Sequence, residues 1–310
     1  MRTAFINQLI IEAKTNEKIF LLVGDLGYNV VENFAELYPD RFLNVGIAEQ
    51  NMAGIAAGLA LEGFCVYIYS IGNFPTLRCM EQIRYDICYH NLNVKIVAVG
   101  GGYAYGPLGA SHQATEEIGM LRTIPNLVIC APADPVETKA ITIFSSHHQG
   151  PCYIRVGKAG EPAVHKENSL SDLSSGDILQ IKKDKGVAVF STGAMLKYVT
   201  DFVEQNKILT SIYSFPFIKP INKGQLLEIF KSYKKIITIE EHQAQAGFGS
   251  AILEVMNDLL ETGELLHAPK VIRIAIPDTF YSVAGSQEYL RKLAKLELKN
   301  DMFKIQESQT

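Results

Sequence analysis

Residues 42–62, FLNVGIAEQNMAGIAAGLALE, contain the unit that indicates the fold class. Residues 42–45 form an apolar run of strand length, Gly46 provides a turn, and a helical pattern follows over 48–62. A strand that passes through a short turn into a helix is the repeating unit of α/β proteins. This stretch therefore predicts a parallel sheet covered by helices.

The same alternation of strands and helices continues through the chain. In the first half, strands are predicted at 18–23, 65–69, 94–99, 127–130 and 152–156, and helices at 3–14, 77–90, 115–122 and 135–147. In the second half, strands are predicted at 187–191, 209–213, 235–240 and 271–276, and helices at 194–205, 222–233, 247–260 and 287–296. The strand runs are nearly continuously apolar, which is typical of parallel strands covered on both faces.

A change of composition separates the two halves. Residues 161–186 are rich in Ser, Asp, Lys, Gly and Pro, which is typical of a linker. A chain of 310 residues is also long enough for two domains of about 150 residues each. We therefore expect two doubly wound α/β domains with mainly parallel sheets, residues 1–160 and 187–310, joined by this linker.

Composition narrows the class of partner. The formal net charge of −4 gives no electrostatic reason to expect nucleic acid or an anionic membrane. No apolar run approaches the ~20 residues that cross a bilayer, and the first residues lack the pattern of a signal peptide. The five cysteines form no C-x-x-C pair, so we expect reduced thiols and a cytoplasmic protein without a metal site of its own.

Glu49 is the first candidate for chemistry, because it opens the helix of the stretch quoted above. Gly54 and Gly58 lie on one face of this helix, so another element can approach closely. A glutamate at a helix start often only complements the positive end of the helix dipole. A carboxyl group between apolar neighbours and a small-residue helix is, however, expected to be partly buried and to need a partner.

The motif V-G-I-A-E-Q at 45–50, followed by A-G-L-A-L-E-G at 57–63, resembles the pyrimidine-binding domain of transketolases and 1-deoxyxylulose-5-phosphate synthases. The resemblance covers 18–158 and returns in the second half, which implies a transketolase C-terminal domain there. It implies thiamine diphosphate as the cofactor. The position that matches Glu49 in this family hydrogen-bonds a ring nitrogen of the aminopyrimidine and so favours the tautomer that activates the thiazolium carbon.

The resemblance also implies other cofactor contacts. Asp25 and Leu26, which follow the predicted strand 18–23, match positions that touch the centre of the cofactor. An aromatic residue after strand 65–69 should stack on the aminopyrimidine. Phe74 is the better candidate and Tyr69 the second, although either aromatic alone is more often a core residue.

His112 lies in the glycine-rich loop at 100–113, and glycines of this kind allow a ligand to approach the backbone. The motif S-H-Q at 111–113 resembles the T-H-Q of the family, whose histidine faces sugar hydroxyls and the reacting carbonyl. Two positions depart from the sugar-phosphate enzymes, which often have aspartate where this chain has Leu108 and histidine where it has Gly100. Common pentose phosphates are therefore expected to be poor substrates.

Three further residues are assigned to substrate binding. Arg155 and Lys158 match basic residues that bind the substrate phosphate in relatives, and a guanidinium or ammonium group suits that anion. Solvated cations at a domain edge are the plain alternative. Asn29, in the loop after strand 18–23, is the third.

The resemblance implies a split enzyme that transfers a two-carbon ketol unit between sugars or sugar phosphates. The chain has no G-D-G…N segment, with which the family holds the cofactor diphosphate and Mg²⁺. A separate N-terminal-type subunit should therefore hold both, in a heterotetramer of two plus two chains. The alternatives are the β subunit of a 2-oxo acid dehydrogenase and a non-catalytic scaffold or regulatory partner.

Overall fold

The structure is a computed structural model that describes residues 1–167, 169–170 and 172–305. Residues 168 and 171 of the predicted linker, and 306–310 of the predicted second domain, lie outside the described residues. None of the helices in the described ranges combines the length and apolar character needed to span a bilayer.

The strands form two sheets. They are β1 (Ile19–Val23), β2 (Phe42–Asn44), β3 (Cys65–Ile71), β4 (Val94–Val99), β5 (Val128–Cys130), β6 (Cys152–Val156), β7 (Leu179–Lys182), β8 (Val187–Ser191), β9 (Thr210–Ser214), β10 (Phe217–Lys219), β11 (Lys235–Gln243) and β12 (Lys270–Ile276). The first sheet has the order β10-β5-β6-β4-β3-β1-β2, and the second has the order β12-β11-β8-β9-β7. All neighbours are parallel except β10 with β5 and β7 with β9, which confirms the predicted α/β fold with mainly parallel sheets.

Helices cover both sheets. They are α1 (Arg2–Thr15), α2 (Glu32–Leu37), α3 (Glu49–Leu61), α4 (Met80–Gln82), α5 (Glu117–Arg122), α6 (Pro135–His147), α7 (Met195–Gln205), α8 (Lys223–Ser232), α9 (Phe248–Glu261) and α10 (Gln287–Leu293). The prediction of one helix over 77–90 is wrong. A 3₁₀ turn, Leu77–Cys79, precedes α4, and a π-helical segment, Ile83–Cys88, follows it. Segments of this irregular kind are frequent at functional sites.

The core explains why the strands are apolar throughout. Alternate residues of one strand pack on opposite sides of the first sheet: Val66 and Ile68 of β3 belong to one buried cluster, and Tyr67 and Tyr69 to the other. Helices therefore bury both faces of the sheet.

Strand β10 is an element that the sequence reading missed. It comes from within the predicted second domain, yet it pairs with β5 at the edge of the first sheet, where Phe217 lies opposite Cys130. Three residues are too few for a periodic pattern to be visible. The exact division of the chain into domains stays a prediction.

Candidate active site

Four loops meet at one edge of the first sheet, because β1, β2, β3 and β4 are parallel and adjacent. These loops occupy 24–31, 45–48, 72–76 and 100–113. The crevice at the carboxyl ends of parallel strands is where open α/β sheets bind ligands. Most of the residues predicted for cofactor and substrate lie on these loops.

Glu49 is the first residue of α3, and only 2% of it is exposed. Its Oε2 accepts a hydrogen bond of 2.7 Å from Nη1 of Arg78, whose side chain is 46% exposed. Among the described residues, no side chain or backbone amide donates a hydrogen bond to the other oxygen, Glu49 Oε1. The carboxylate therefore has one oxygen held by an accessible cation and one oxygen free to accept a proton or a hydrogen bond.

Gly46 sets the direction from which α3 begins. Its φ of +74° lies in the left-handed region, which glycine adopts without steric cost. The turn is also tied to the neighbouring loop by Asn44, the last residue of β2. Asn44 Oδ1 accepts the amides of Gly46 and Asp25, both at 3.0 Å, and its Nδ2 donates to Asp25 Oδ1 at 3.1 Å.

Asn44 lies in the stretch 42–62, but the sequence predicts no role for it. The available signal was a polar side chain at the end of an otherwise apolar strand. Its function as a tie between two loops could not be read from the sequence, because Asp25 lies nineteen residues away.

Arg78, Phe74 and His112 continue the line of contacts that begins at Glu49. The guanidinium carbon of Arg78 lies 4.8 Å from the centroid of the Phe74 ring. The rings of Phe74 and His112 meet edge to face with centroids 5.2 Å apart. The structure therefore brings together three residues that the sequence predicts for the site, Glu49, Phe74 and His112, and adds Arg78, which contacts both Glu49 and Phe74.

His112 is held by local contacts and is partly exposed. Its Nδ1 lies 3.0 Å from Ser111 Oγ, and its backbone amide donates to Gly109 O at 3.1 Å. Asn73, next to Phe74, donates through Nδ2 to Gln113 O at 2.7 Å. The loop after β3 and the loop after β4 are thus joined beside the histidine.

Tyr69 lies in the buried core of the first sheet. It is 1% exposed, and its ring stacks on Phe5 with centroids 6.1 Å apart. Burial raises the pKa of its hydroxyl well above the usual value. This is the position of a core residue, so the geometry favours Phe74 as the stacking residue.

The loop after β1 borders a small cavity of about 180 Å³, lined in part by Asp25, Leu26 and Tyr28. Asp25 and Asn29 are exposed and both have positive φ, 55° and 59°. Leu26 is half-buried. Asp25 and Leu26 thus lie on the same edge as Glu49. Asn29 makes a local turn instead, with its amide donating to Glu32 Oε1 at 2.8 Å.

Arg155 does not fit its predicted role in phosphate binding. It is 7% exposed, its Nε lies 2.7 Å from Glu117 Oε1, and its Nη2 donates to the carbonyls of Ala114 and Glu241. A guanidinium already neutralised and enclosed in this way cannot take up a substrate anion without breaking a buried ion pair. Lys158, three residues further, is exposed.

No group of three or more His, Cys, Asp or Glu side chains in the described ranges is arranged to hold a metal ion.

Comparison with known proteins places these features in a family. Residues 1–160 match the family described as transketolase, pyrimidine binding domain, and 176–299 match transketolase, C-terminal domain. One subunit of the apulose-4-phosphate transketolase of Actinobacillus succinogenes is 33% identical over 84% of this chain and 82% of its own length. The putative transketolase C-terminal section of Methanocaldococcus jannaschii is 34% identical over 94% of this chain and 90% of its own length.

Two solved structures are similar to this chain in fold. The protein titled split gene transketolase, inactive beta4 tetramer, has a TM-score of 0.81 and 31% identity, covering 95% of this chain and 93% of that one. Transketolase from Leishmania mexicana is 17% identical with a TM-score of 0.75, and 43% of it is covered, so it shares the fold.

Proposed function

The chain belongs to the transketolase family, and we propose that it is the half of a split enzyme that activates thiamine diphosphate through Glu49. Dependence on this cofactor follows from the family. The observation that carries the proposal is the line of contacts from Glu49 through Arg78 and Phe74 to His112. It places a buried carboxylate, an aromatic face and a histidine on one edge of the sheet.

These residues fit the ring portion of the cofactor. The free Oε1 of Glu49 suits a ring nitrogen that donates or shares a proton, and the half-buried face of Phe74 suits a flat heterocycle. Leu26 and Asp25 border the same edge. Arg78 lies over Phe74 in this structure, and its exposed side chain is free to move aside when a ring takes that place.

Thiamine diphosphate, when bound, supplies the electron sink for cleaving a carbon–carbon bond next to a carbonyl. Glu49 would hold the shared proton at the ring nitrogen, and its buried position would keep water from competing for that hydrogen bond. His112 is in place to exchange protons with substrate oxygens, since its ring packs against Phe74 beside the same crevice. The reaction that fits these roles is the transfer of a two-carbon ketol unit.

A second subunit completes the enzyme in this proposal. It would bind the cofactor diphosphate and Mg²⁺, for which the chain has no G-D-G…N segment. Relatives are named as one subunit of a transketolase and as a C-terminal section, and one is titled an inactive beta4 tetramer. The exposed Gly54 and Gly58 of α3 leave room for a close-packed neighbour. We propose two copies of each chain, in the cytoplasm, where the five free cysteines would stay reduced.

Titration calorimetry of the purified chain with Mg²⁺ and thiamine diphosphate tests the split-site design. Ring contacts must offset about 4 kcal/mol or more of lost association entropy, so binding to the chain alone should be weak. Adding the N-terminal-type subunit should both raise the affinity for thiamine diphosphate and produce activity. A micromolar or tighter dissociation constant for the chain alone would contradict this design.

The substrate is proposed to be a sugar phosphate other than the common pentose phosphates. A Cβ on Gly100 would lie 2.2 Å from the Tyr105 ring, so this chain cannot place a histidine there as it is folded. Leu108 is 56% exposed and offers no hydrogen bond to a hydroxyl. With Arg155 enclosed, Lys158 is the remaining predicted cation for the phosphate.

Steady-state kinetics of the reconstituted enzyme with xylulose 5-phosphate and ribose 5-phosphate should show poor turnover. Apulose 4-phosphate belongs in the same panel, since it gives related subunits their name. Efficient turnover of the two pentose phosphates would show that Gly100 and Leu108 do not restrict the substrate.

A further inference from the structure

Residues 241–243 at the end of β11 run along the loop that carries His112. Gln243 donates its amide to Thr115 O at 2.9 Å, and the amide of Gly119 lies 3.2 Å from His242 Nε2. Arg155 Nη2 bridges Ala114 O, at 2.7 Å, and Glu241 O, at 3.1 Å. A strand of the second sheet is therefore bonded to the segment that directly follows His112.

The loop 100–113 has a narrow neck. Gly102 and Ala114 exchange two backbone hydrogen bonds, of 2.7 and 3.1 Å, which bring its two ends together. This pair closes the segment that contains His112, and the bond from Asn73 to Gln113 O holds the same segment from the other side. The conformation of the neck therefore contributes to where the histidine can lie.

Glu241 binds this neck with its side chain. It is 4% exposed, and its Oε1 accepts the amide of Tyr103 at 2.5 Å. Arg291 donates to its Oε2 from Nε at 2.6 Å, and Gln287 donates to both oxygens at 3.1 Å. The carboxylate is thus fixed by α10 on one side and holds the first domain's loop on the other.

Gly102 permits the close approach. Its φ is +65°, and a Cβ there would lie 2.6 Å from Glu241 Cγ. Glycine is the residue that allows both that conformation and that distance. The glycine and the carboxylate are therefore matched across the seam between the two halves of the chain.

Glu240, the preceding residue, offers a contrast within the same strand. It is 1% exposed, and its two oxygens accept the amides of Phe248 and Gly249 at the start of α9. Its hydrogen bonds therefore stay within the second half of the chain. Two adjacent buried carboxylates thus serve different purposes, one internal to the second domain and one directed to the His112 loop.

We propose that Glu241 is a positioning residue for His112, so that the C-terminal half of the chain holds part of the substrate site in place. The effect on catalysis rests on the proposed role of His112, whereas the effect on the loop does not. A buried carboxylate that accepts a backbone amide makes a stronger hydrogen bond than a neutral partner would. Without it the neck opens more often, and His112 samples positions away from Phe74.

Hydrogen–deuterium exchange of the purified chain tests the effect on the loop without cofactor or partner. In Glu241→Gln, the amides of Gly102, Tyr103 and Ala114 should exchange about 10-fold faster or more, because a hydrogen bond to a charged group is lost. In the matched control Glu240→Gln, the faster exchange should instead fall on Phe248 and Gly249. Unchanged exchange at the neck in Glu241→Gln, or equal opening of the neck in Glu240→Gln, would overturn the proposal.

A milder variant covers the case in which Glu241→Gln does not fold. Gln287→Leu removes two hydrogen bonds to the carboxylate but keeps Arg291 and the Tyr103 contact in place. It should give a smaller increase in exchange, of about 3-fold, at the same three amides. Exchange at these amides equal to that of the unaltered chain would count against the proposal in the same way.

The reconstituted enzyme tests the consequence for catalysis. Glu241→Gln should lower turnover of the substrate by about 10-fold while hydrogen exchange at the thiazolium carbon of the cofactor, which depends on Glu49, stays near normal. A general loss of structure would lower both. If the neck opens as expected but turnover is unaffected, the structural role of Glu241 stands and the assignment of His112 to substrate is wrong.

Discussion

The open edge at Glu49 and the seam around Arg155 use the same kinds of charged residue in opposite ways. At the edge, a buried glutamate is paired with Arg78, whose side chain is 46% exposed. At the seam, Arg155 and Glu117 are 7% and 0% exposed, and Arg155 Nη2 also donates to the backbone oxygens of Ala114 and Glu241. An ion pair with one accessible partner can be rearranged by a ligand, whereas an enclosed pair holds the structure together.

The difference explains why charge and motif matching alone do not decide whether Arg155 can bind a phosphate. An arginine near a ligand edge suits a phosphate, but the guanidinium here meets its counterion inside the protein. Availability of the group, rather than its chemistry, separates a binding residue from a structural one. The following variants test that distinction, beginning with the largest expected effect.

Glu49→Gln should prevent activation of the cofactor at the open edge. The rate of hydrogen exchange at the thiazolium carbon in the reconstituted complex should fall by at least about 10²–10⁴-fold, as expected for a positioned acid–base group. The fold should persist, because glutamine has nearly the same volume. Glu62→Gln, an exposed position just after the same helix, is the control and should leave the rate unchanged. Near-normal exchange in Glu49→Gln would remove Glu49 from the mechanism.

Arg155→Met should weaken the seam. It leaves Glu117 buried without its counterion, which costs about 3–5 kcal/mol of unfolding free energy. Denaturant unfolding of the chain measures this cost. Lys158→Met, three residues along the chain but exposed, should change stability by less than about 0.5 kcal/mol. A small stability loss in Arg155→Met together with a raised KM for a phosphorylated substrate would restore the phosphate-binding role.

Glu137, which joins the first half of the chain to Ser214 of the second half, should make the stability of the chain depend on pH. Its carboxyl accepts Ser214 Oγ at 2.6 Å and the Ala133 amide at 2.7 Å, and burial raises its pKa to about 7. Between the unfolded value of 4.5 and about 7, the folded chain binds more protons than the unfolded chain, so stability falls as pH rises through this window.

Glu137→Gln should reduce the fall of stability with rising pH. The carboxyl contributes at most about 3 kcal/mol over this range, at about 1.36 kcal/mol per pKa unit. Unfolding free energies at several pH values between 4.5 and about 7 measure the slope. Glu62→Gln serves as the exposed control. An equally steep fall in the Glu137 variant would assign the pH dependence to other groups.

Arg78→Met should destabilise the chain much less than Arg155→Met does. Because the Arg78 side chain is 46% exposed, its removal admits water to Glu49 Oε2, so the loss should be about 1 kcal/mol or less. The same unfolding measurement as for Arg155→Met gives a direct comparison. A loss as large as that of Arg155→Met would mean that the edge is as closed as the seam.

Elements with local signals could be predicted well. The strand, glycine turn and helix of residues 42–62 appear as β2, the turn at Gly46 and α3. Apolar runs identified the parallel strands, since both faces of each sheet are covered. Strand β10 and the irregular segment after Leu77 could not be found in this way, because pairing with a distant strand and a change in helical hydrogen bonding leave no periodic pattern.

The sequence by itself determined the fold class, the family and the position of Glu49 at a helix start, because each depends on neighbouring residues. Only the tertiary structure decided which charges are accessible. Arg78 and Glu49 are 29 residues apart, and Glu241 meets Tyr103 across 138 residues. Contacts at such separations arise from the packing of sheets and helices, so burial and pairing, which distinguish Arg78 from Arg155, appear only once the chain is folded.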